Sequence, residues 1–199
     1  MSRRRKPIIA IDWDDVVVQT TAAICRIHSR RSGALHRASD MISHDFCNLW
    51  GTGIDYVIQV MDEHFSSGAT QKPRFLPGAV EVLRELSLTH RLAVVTARHV
   101  RWDAVTKEQV QALGCRIYAI HLCTDENGFT TDKALICREY GYETIIDDHV
   151  STTNMCAAAG IQSFVFGRYQ WNRHGKIPLV RRAYNWRHVH EILLSKPRD

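Results

Sequence analysis

Long apolar runs are missing from this chain. The longest, such as Arg91 to Thr96 and Ile161 to Phe166, fall far short of the roughly 20 residues that a membrane-spanning helix needs. No bilayer crossing is expected. The sequence opens Met-Ser-Arg-Arg-Arg-Lys and then enters a strand-like run ending in acidic residues, so it also lacks the apolar stretch and small-residue cleavage site of a secretory signal. A cytoplasmic or nuclear location is therefore expected rather than secretion. The six cysteines (Cys25, Cys47, Cys115, Cys123, Cys137 and Cys156) form no C-x-x-C pair and no zinc-ribbon spacing. They read as reduced, mostly buried thiols, since a metal site built on them would need clustered ligands. Internal repeats and low-complexity segments are absent too.

What is present fits one folding unit: 199 residues, long enough for a full core with a modest insertion but short for two independent domains. Hydrophobic residues at 45% and charged residues at 24% give the balance of an ordinary globular protein. The formal charge of +5 suits an anionic small-molecule substrate. Part of it sits in Arg3, Arg4, Arg5 and Lys6, an arm that is either a solvated tail or a nucleic-acid contact or nuclear address. The tail reading is preferred, and nucleic acid is not expected as a partner. Oligomeric state leaves no mark in the sequence.

Short apolar runs alternate with helix-period stretches, the signature of an α/β domain with a largely parallel, Rossmann-like sheet in three layers. Five strands are expected, at Ile8 to Ile11, Leu92 to Val95, Ile117 to Leu122, Thr144 to Ile146 and Ser163 to Phe166. Helices are expected at Gly78 to Leu88, Trp102 to Leu113, Asp132 to Tyr140, Ser151 to Ala159 and Trp186 to Leu194. Residues 20–72 break the rhythm. They offer helical pieces at Thr20 to Ser32 and Ile54 to Ser66, with polar or glycine-bearing turns at Gly51 to Gly53 and Ser67 to Thr70, and no strand. They read as a helical cap inserted into a core made of residues 1–19 and 73–199.

In a parallel α/β sheet, ligands gather at the carboxyl ends of the strands. The first run ends in Asp12-Trp-Asp-Asp15, the second in Thr96-Ala-Arg98 and the fourth in Asp147-Asp148, while Lys133 opens the helix before the fourth. Asp12 and Asp14, two apart in extended backbone, would present their carboxylates to the same side. Carboxylates crowded in this way call for a divalent cation with oxygen ligands, and Asp12 and Asp147 suit Mg2+. Thr96 and Lys133 could meet the oxygens of a phosphoryl group. Each residue alone has a plainer reading, the aspartates as helix caps and Lys133 as a solvated side chain. Their occurrence in one order, each at a strand end or helix start, favours a site.

The order Asp12-x-Asp14, Thr96, Lys133, Asp147-Asp148 resembles the four-motif signature of the haloacid dehalogenase (HAD) superfamily of phosphohydrolases. The resemblance implies that Asp12 takes the phosphoryl group as an aspartyl-phosphate. Asp14 would then act as general acid and base, and Thr96, Ala97 and Lys133 would bind the phosphoryl group. Asp12, the Asp14 main-chain carbonyl and Asp147 would hold magnesium, with Asp148 supporting them from behind. The chain departs from the commonest pattern at Asp15, where glycine is usual. Trp13 is also bulky for its place, and either narrows the entrance or packs beneath the cap.

The segments Ser43 to Gly51, Phe75 to Ala79 and Tyr169 to Asn172 resemble the deoxyribonucleotidase-like branch, which implies a nucleoside 5′-monophosphate substrate. Phe46 and Trp50 then either stack on a base or form cap core. Arg98 either touches the substrate or makes a surface ion pair. His149 is left outside the expected site as a turn residue. Phosphatase action on a sugar phosphate or other metabolite, or a silent fold that only binds, are the competing readings.

Overall fold

The run Ile8-Ile-Ala-Ile11 has no alternation of apolar and polar side chains, and such a strand is stable only where both faces are covered. The structure of the protein, a computed structural model, places it as β1 (Ile8–Ile11) inside a parallel sheet, every residue buried. Residues 5–67 and 72–194 are described. Arg3 and Arg4 of the basic arm and the turn at Gly68 to Thr70 lie outside the described residues.

The other strands are β2 (Arg91–His99), β3 (Ile117–Thr124), β4 (Thr144–Asp147), β5 (Gln162–Phe166) and β6 (Arg181–Ala183). They are ordered β3-β2-β1-β4-β5-β6, with every neighbouring pair parallel. The sheet therefore has six strands where five were expected. The additional β6 is Arg-Arg-Ala at the sheet edge, too short and too polar to give a periodicity. β2 also runs past Val95 through Thr96, Ala97 and Arg98, turning Thr96 and Arg98 inward and Ala97 outward.

Alternation along β1 sorts the core into two layers. Ile9 and Ile11 face one side, with Leu83 and Leu86 of α4 (Ala79–Thr89), Val110 of α5 (Asp103–Gln111) and Trp186 of α8 (Trp186–Leu193). Ile8 and Ala10 face the other, with Ile136 and Cys137 of α6 (Lys133–Glu139) and Cys156 of α7 (Val150–Ala158). The sheet is thus sandwiched between helical layers, the α/β Rossmann-like arrangement expected.

Among the described residues between β1 and α4 lie three α-helices, a short 3-10 turn at Ala38–Asp40 and no named strand: α1 (Thr20–Ser32), α2 (Phe46–Trp50) and α3 (Ile54–Ser66). Ile24, Ile27 and Val60 make an apolar cluster of their own there, with Phe46, Trp50 and Met61 packed on it. The chain leaves and re-enters the core through a paired stem, in which Gln19 N donates to Arg74 O (2.9 Å) and Leu76 N to Val17 O (2.8 Å). α8 braces this stem, since the buried indole of Trp186 donates from Nε1 to Val16 O at 2.7 Å.

Trp186 thus combines a large packed ring with a satisfied buried donor. Trp186→Ala is expected to cost about 3–5 kcal/mol in equilibrium denaturant unfolding. Trp186→Phe is expected to cost about 1–3 kcal/mol, because it leaves the Val16 carbonyl unpaired.

Candidate active site

In the order β3-β2-β1-β4-β5-β6, β1 feeds β2 on one side while β4 lies on the other, so the connections diverge at the carboxyl ends of β1 and β4. Asp12 follows β1, Asp147 ends β4 and Asp148 follows it. Carboxylate oxygens of all three lie within 4.8 Å of one another, and all three residues are buried. Lys133, first residue of α6, reaches into the group: its Nζ is 2.7 Å from Asp12 Oδ1 and 2.7 Å from Asp147 Oδ2. Asp132 caps α6 by accepting from Ala134 N at 2.8 Å, which fixes where that lysine emerges.

Three carboxylates face one ammonium, and the acids are short of positive charge. Burial raises the Asp12 carboxyl to about 7, with Asp147 and Asp14 adding to the rise and Lys133 opposing it. Asp148 is raised well above the usual carboxylate range, by burial first and then by Asp12 and Asp147. Burial alone would lower Lys133, but Asp12 and Asp147 more than offset it and keep the ammonium charged. Buried oxygen donors in such a deficit fit a divalent cation.

The chain around these residues is fixed by hydrogen bonds. His149 N donates to Asp147 Oδ1 at 2.8 Å. Trp171 Nε1 donates to Asp148 Oδ2 at 2.7 Å, and Asn172 Nδ2 to the Asp148 carbonyl at 2.9 Å. The Tyr169 hydroxyl donates to Asp15 O at 2.6 Å. Asp15 is the one non-glycine residue with a left-handed backbone among those described, at φ 56°. That conformation explains why glycine is usual at this position; aspartate is one of the few side chains that tolerate it. Its carboxylate also accepts from Thr21 N at 3.1 Å and from the Thr21 hydroxyl, so it caps α1, where Gln19 offers no side-chain cap.

Asp14 is held apart from the cluster. Arg98 grips it with two bonds, Nε to Oδ2 at 2.8 Å and Nη2 to Oδ1 at 2.7 Å. Thr20, at the start of α1, donates to Oδ1, and Thr96 Oγ1 lies 3.5 Å from Oδ2. Burial would raise the Asp14 carboxyl, but the Arg98 charge and hydrogen bonds outweigh it and hold it below the ordinary value.

These groups open into one cavity of about 390 Å³, which brings together Asp12, Asp14, Thr96, Ala97, Lys133, Asp147 and Asp148 as expected from the sequence. Phe46 and Arg98 line it too, but two residues expected there do not. Trp13 is fully buried in the main core, its Nε1 bonded to Gln109 Oε1 at 2.9 Å, so it does not narrow an entrance. Trp50 stacks on His28 at 4.1 Å within the α1–α3 cluster, the cap-core alternative. Arg98 makes an interior ion pair in place of a surface one, its side chain 2% exposed. Its neighbours in sequence, which give no apolar period beyond Val95, concealed this.

Sequence reasoning missed His149, which does line the cavity, and His44, whose Nε2 sits 3.6 Å from Asp148 Oδ2 and whose ring stacks on His149 at 5.4 Å. Adjacency to Asp147-Asp148 was the available signal for His149. His44 reaches the site only through the tertiary path of the segment after α1, and Ile24, Met61, Phe65 and Trp102 form the apolar wall in the same way.

A parallel α/β core carrying an aspartate cluster, a lysine and a threonine at its switch point defines the class: a hydrolase of the haloacid dehalogenase superfamily that acts on phosphate esters. Within that class the chain belongs to the family described as 5′ nucleotidase, deoxy (pyrimidine), cytosolic type C protein, which matches residues 6–198. A comparison with curated proteins finds no match.

Solved structures share the fold at low identity. A predicted phosphatase from Clostridium acetobutylicum superimposes with a TM-score of 0.69 at 10% identity, covering 96% of this chain and 99% of that one. A HAD family hydrolase from Deinococcus radiodurans, with bound phosphate and sodium, gives 0.65 at 13%, covering 95% of each. The D,D-heptose 1,7-bisphosphate phosphatase of B. bronchiseptica, complexed with magnesium and phosphate, gives 0.58 at 16%, covering 94% of this chain and 98% of that one. No helix among the described residues is long and apolar enough to cross a membrane.

His64 of α3 lies beside this site. Burial lowers it to about 4, with Arg98 and Arg26 lowering it further and Asp14 opposing them. The unfolded chain takes up that proton below about 6.5 while the fold refuses it until about 4, so this residue costs stability progressively as pH falls through that window. Asp12 and Asp15, raised to about 7, act with the opposite sign, because the fold keeps protons that the unfolded chain has lost. The comparison of wild type with His64→Gln cancels them. The variant is expected to gain relative stability steadily from pH 6.5 to pH 4 and none above pH 7, measured by urea unfolding at each pH.

Proposed function

We propose that this chain is a magnesium-dependent phosphomonoesterase working through an aspartyl-phosphate on Asp12, with a nucleoside 5′-monophosphate as substrate. The observation that carries the reading is the convergence of Asp12, Asp147, Asp148 and Lys133 with Asp14 and Thr96 in one cavity at the carboxyl edge of the sheet. Asp12, Asp147 and the Asp14 main-chain carbonyl would hold the ion. Asp148, cast by the sequence as support behind them, is close enough to share it. When bound, magnesium supplies the charge that the cluster lacks and draws negative charge from the phosphoryl oxygens.

Lys133 occupies only Oδ1 of Asp12. The carboxylate attacks phosphorus, forming the Asp12 O–P bond as the bond from phosphorus to the departing oxygen breaks. Asp14, ionised beside Arg98 before substrate binds, relays to that oxygen the proton carried by the monoanionic ester, so an alcohol leaves. A water then attacks the same phosphorus while Asp14 takes a proton from it, which frees the Asp12 carboxylate and inorganic phosphate. Thr96, Ala97 and Lys133 hold the transferred group through both steps.

The helices α1–α3 act as the cap. Ile24, Phe46, Met61 and Phe65 put an apolar, partly aromatic wall opposite the acids. Such a wall suits a nucleobase better than a polyhydroxylated sugar. The family description points the same way, toward pyrimidine deoxynucleotides.

With magnesium present, Asp12→Asn is expected to lower phosphate release by more than about 10³-fold while the protein stays folded. Activity retained in that variant would exclude the covalent route. Across a panel of phosphomonoesters compared by kcat/KM, deoxynucleoside 5′-monophosphates should lead; a sugar phosphate turned over strongly beside uniformly weak nucleotides would remove the nucleotidase reading.

A further inference from the structure

The network behind Asp14 extends well beyond one ion pair. Arg98 spends its Nε and one Nη2 hydrogen on the two Asp14 oxygens, and both Nη1 hydrogens on Thr106 Oγ1 (3.0 Å) and Gln109 Oε1 (2.9 Å). At least four of the five guanidinium N–H groups are therefore committed to protein acceptors. The acceptors are themselves fixed. Thr106 donates to Trp102 O at 2.8 Å, and Gln109 Oε1 also accepts from the buried Trp13 indole at 2.9 Å. The Phe65 ring covers the guanidinium at 4.5 Å, within cation–π range.

An arginine committed in this way is a poor phosphate ligand, although it lines the cavity. What it controls is a torsion. A lone aspartate rotates freely about its last bond, whereas a forked guanidinium bonded to both oxygens locks the carboxylate plane. Small displacements of an acid or base at a reacting centre carry a large rate penalty, since a misplacement of about 1 Å can cost about 10²-fold.

We propose that Arg98 is a positioning residue: its two-point grip on Asp14, anchored from behind by Thr106 and Gln109, sets the angle at which Asp14 meets the departing oxygen. Trp13 belongs to the same device, as the clamp on Gln109. The proposal rests on the acid role given to Asp14 above. Lysine in place of Arg98 keeps a positive charge but offers a single point in place of the fork, so it separates orientation from charge.

The test compares two synthetic phosphates under magnesium. 4-Nitrophenyl phosphate releases a weakly basic phenolate that departs without a proton; benzyl phosphate releases a strongly basic alkoxide that needs one. kcat/KM is the quantity to read, because it covers only the events through departure of the leaving group. Arg98→Lys is expected to lower kcat/KM for benzyl phosphate by about 10²-fold and for 4-nitrophenyl phosphate by less than about threefold. Thr106→Val, nearly isosteric and outside the cavity lining, is expected to show the same selectivity at smaller size, and it decides the matter if Arg98→Lys does not fold. Equal losses on both esters, or no loss in a folded Arg98→Lys, would overturn the proposal. Asp14→Asn runs alongside: selectivity there but not in the Arg98 and Thr106 variants defeats the positioning role alone, and no selectivity in Asp14→Asn defeats the acid role and this proposal with it.

Discussion

The carboxylate oxygens of three aspartates lie within 4.8 Å of one another beside one ammonium at the carboxyl edge of the sheet, and the rest of the molecule is arranged to keep them there. Left to themselves, Asp12, Asp147 and Asp148 would move apart, and the burial and mutual repulsion that raise Asp12 and Asp148 express that strain. They stay together because β1 and β4 are adjacent and wholly buried, so their ends cannot drift apart. Lys133, Trp171 and the His149 amide then tie down individual oxygens. A buried cluster of this kind is costly unless a cation completes it, so it is better explained by chemistry than by stability.

The second carboxylate system has its own counter-charge, although Asp14 still adds to the rise at Asp12. Asp14 lies only two residues from Asp12, yet it faces Arg98 and Thr20 instead of Lys133. One acid therefore sits where positive charge is scarce and its carboxyl is raised, the other where positive charge is plentiful and its carboxyl is lowered. Asp15 stands between β1 and the α1–α3 helices. It accepts a left-handed backbone while its carboxylate holds the first turn of α1, which couples the cavity wall to the loop after β1.

Much of this was legible in the sequence, for identifiable reasons. β1 and the helices at Thr20–Ser32 and Ile54–Ser66 appear with the expected bounds, since each is a strong run ended by a change of composition. The cluster was legible because topology obliges residues at the ends of parallel strands to meet. β6 was not: its Arg-Arg-Ala sequence is held by pairing with β5 and carries no pattern of its own. The surroundings of Trp13, Trp50 and Arg98 stayed open in the sequence for a common reason. A position next to a motif says nothing of which way a bulky side chain turns; Trp13 turned into the core, Trp50 onto His28, and Arg98 inward to an acid that only the folded chain brings near. His44 depends on the path of a long connection, which local periodicity does not encode.

The charge deficit can be measured directly by calorimetric titration of the apo protein with magnesium at neutral pH in buffers of different ionisation enthalpy. One ion per chain should bind with release of protons, because Asp12 and Asp148 hold theirs too tightly in the absence of a cation. Asp147→Asn should weaken binding severely. Magnesium binding that releases no protons and is unchanged in Asp147→Asn, or no binding by the wild type, would contradict the assignment of the cluster as a cation site.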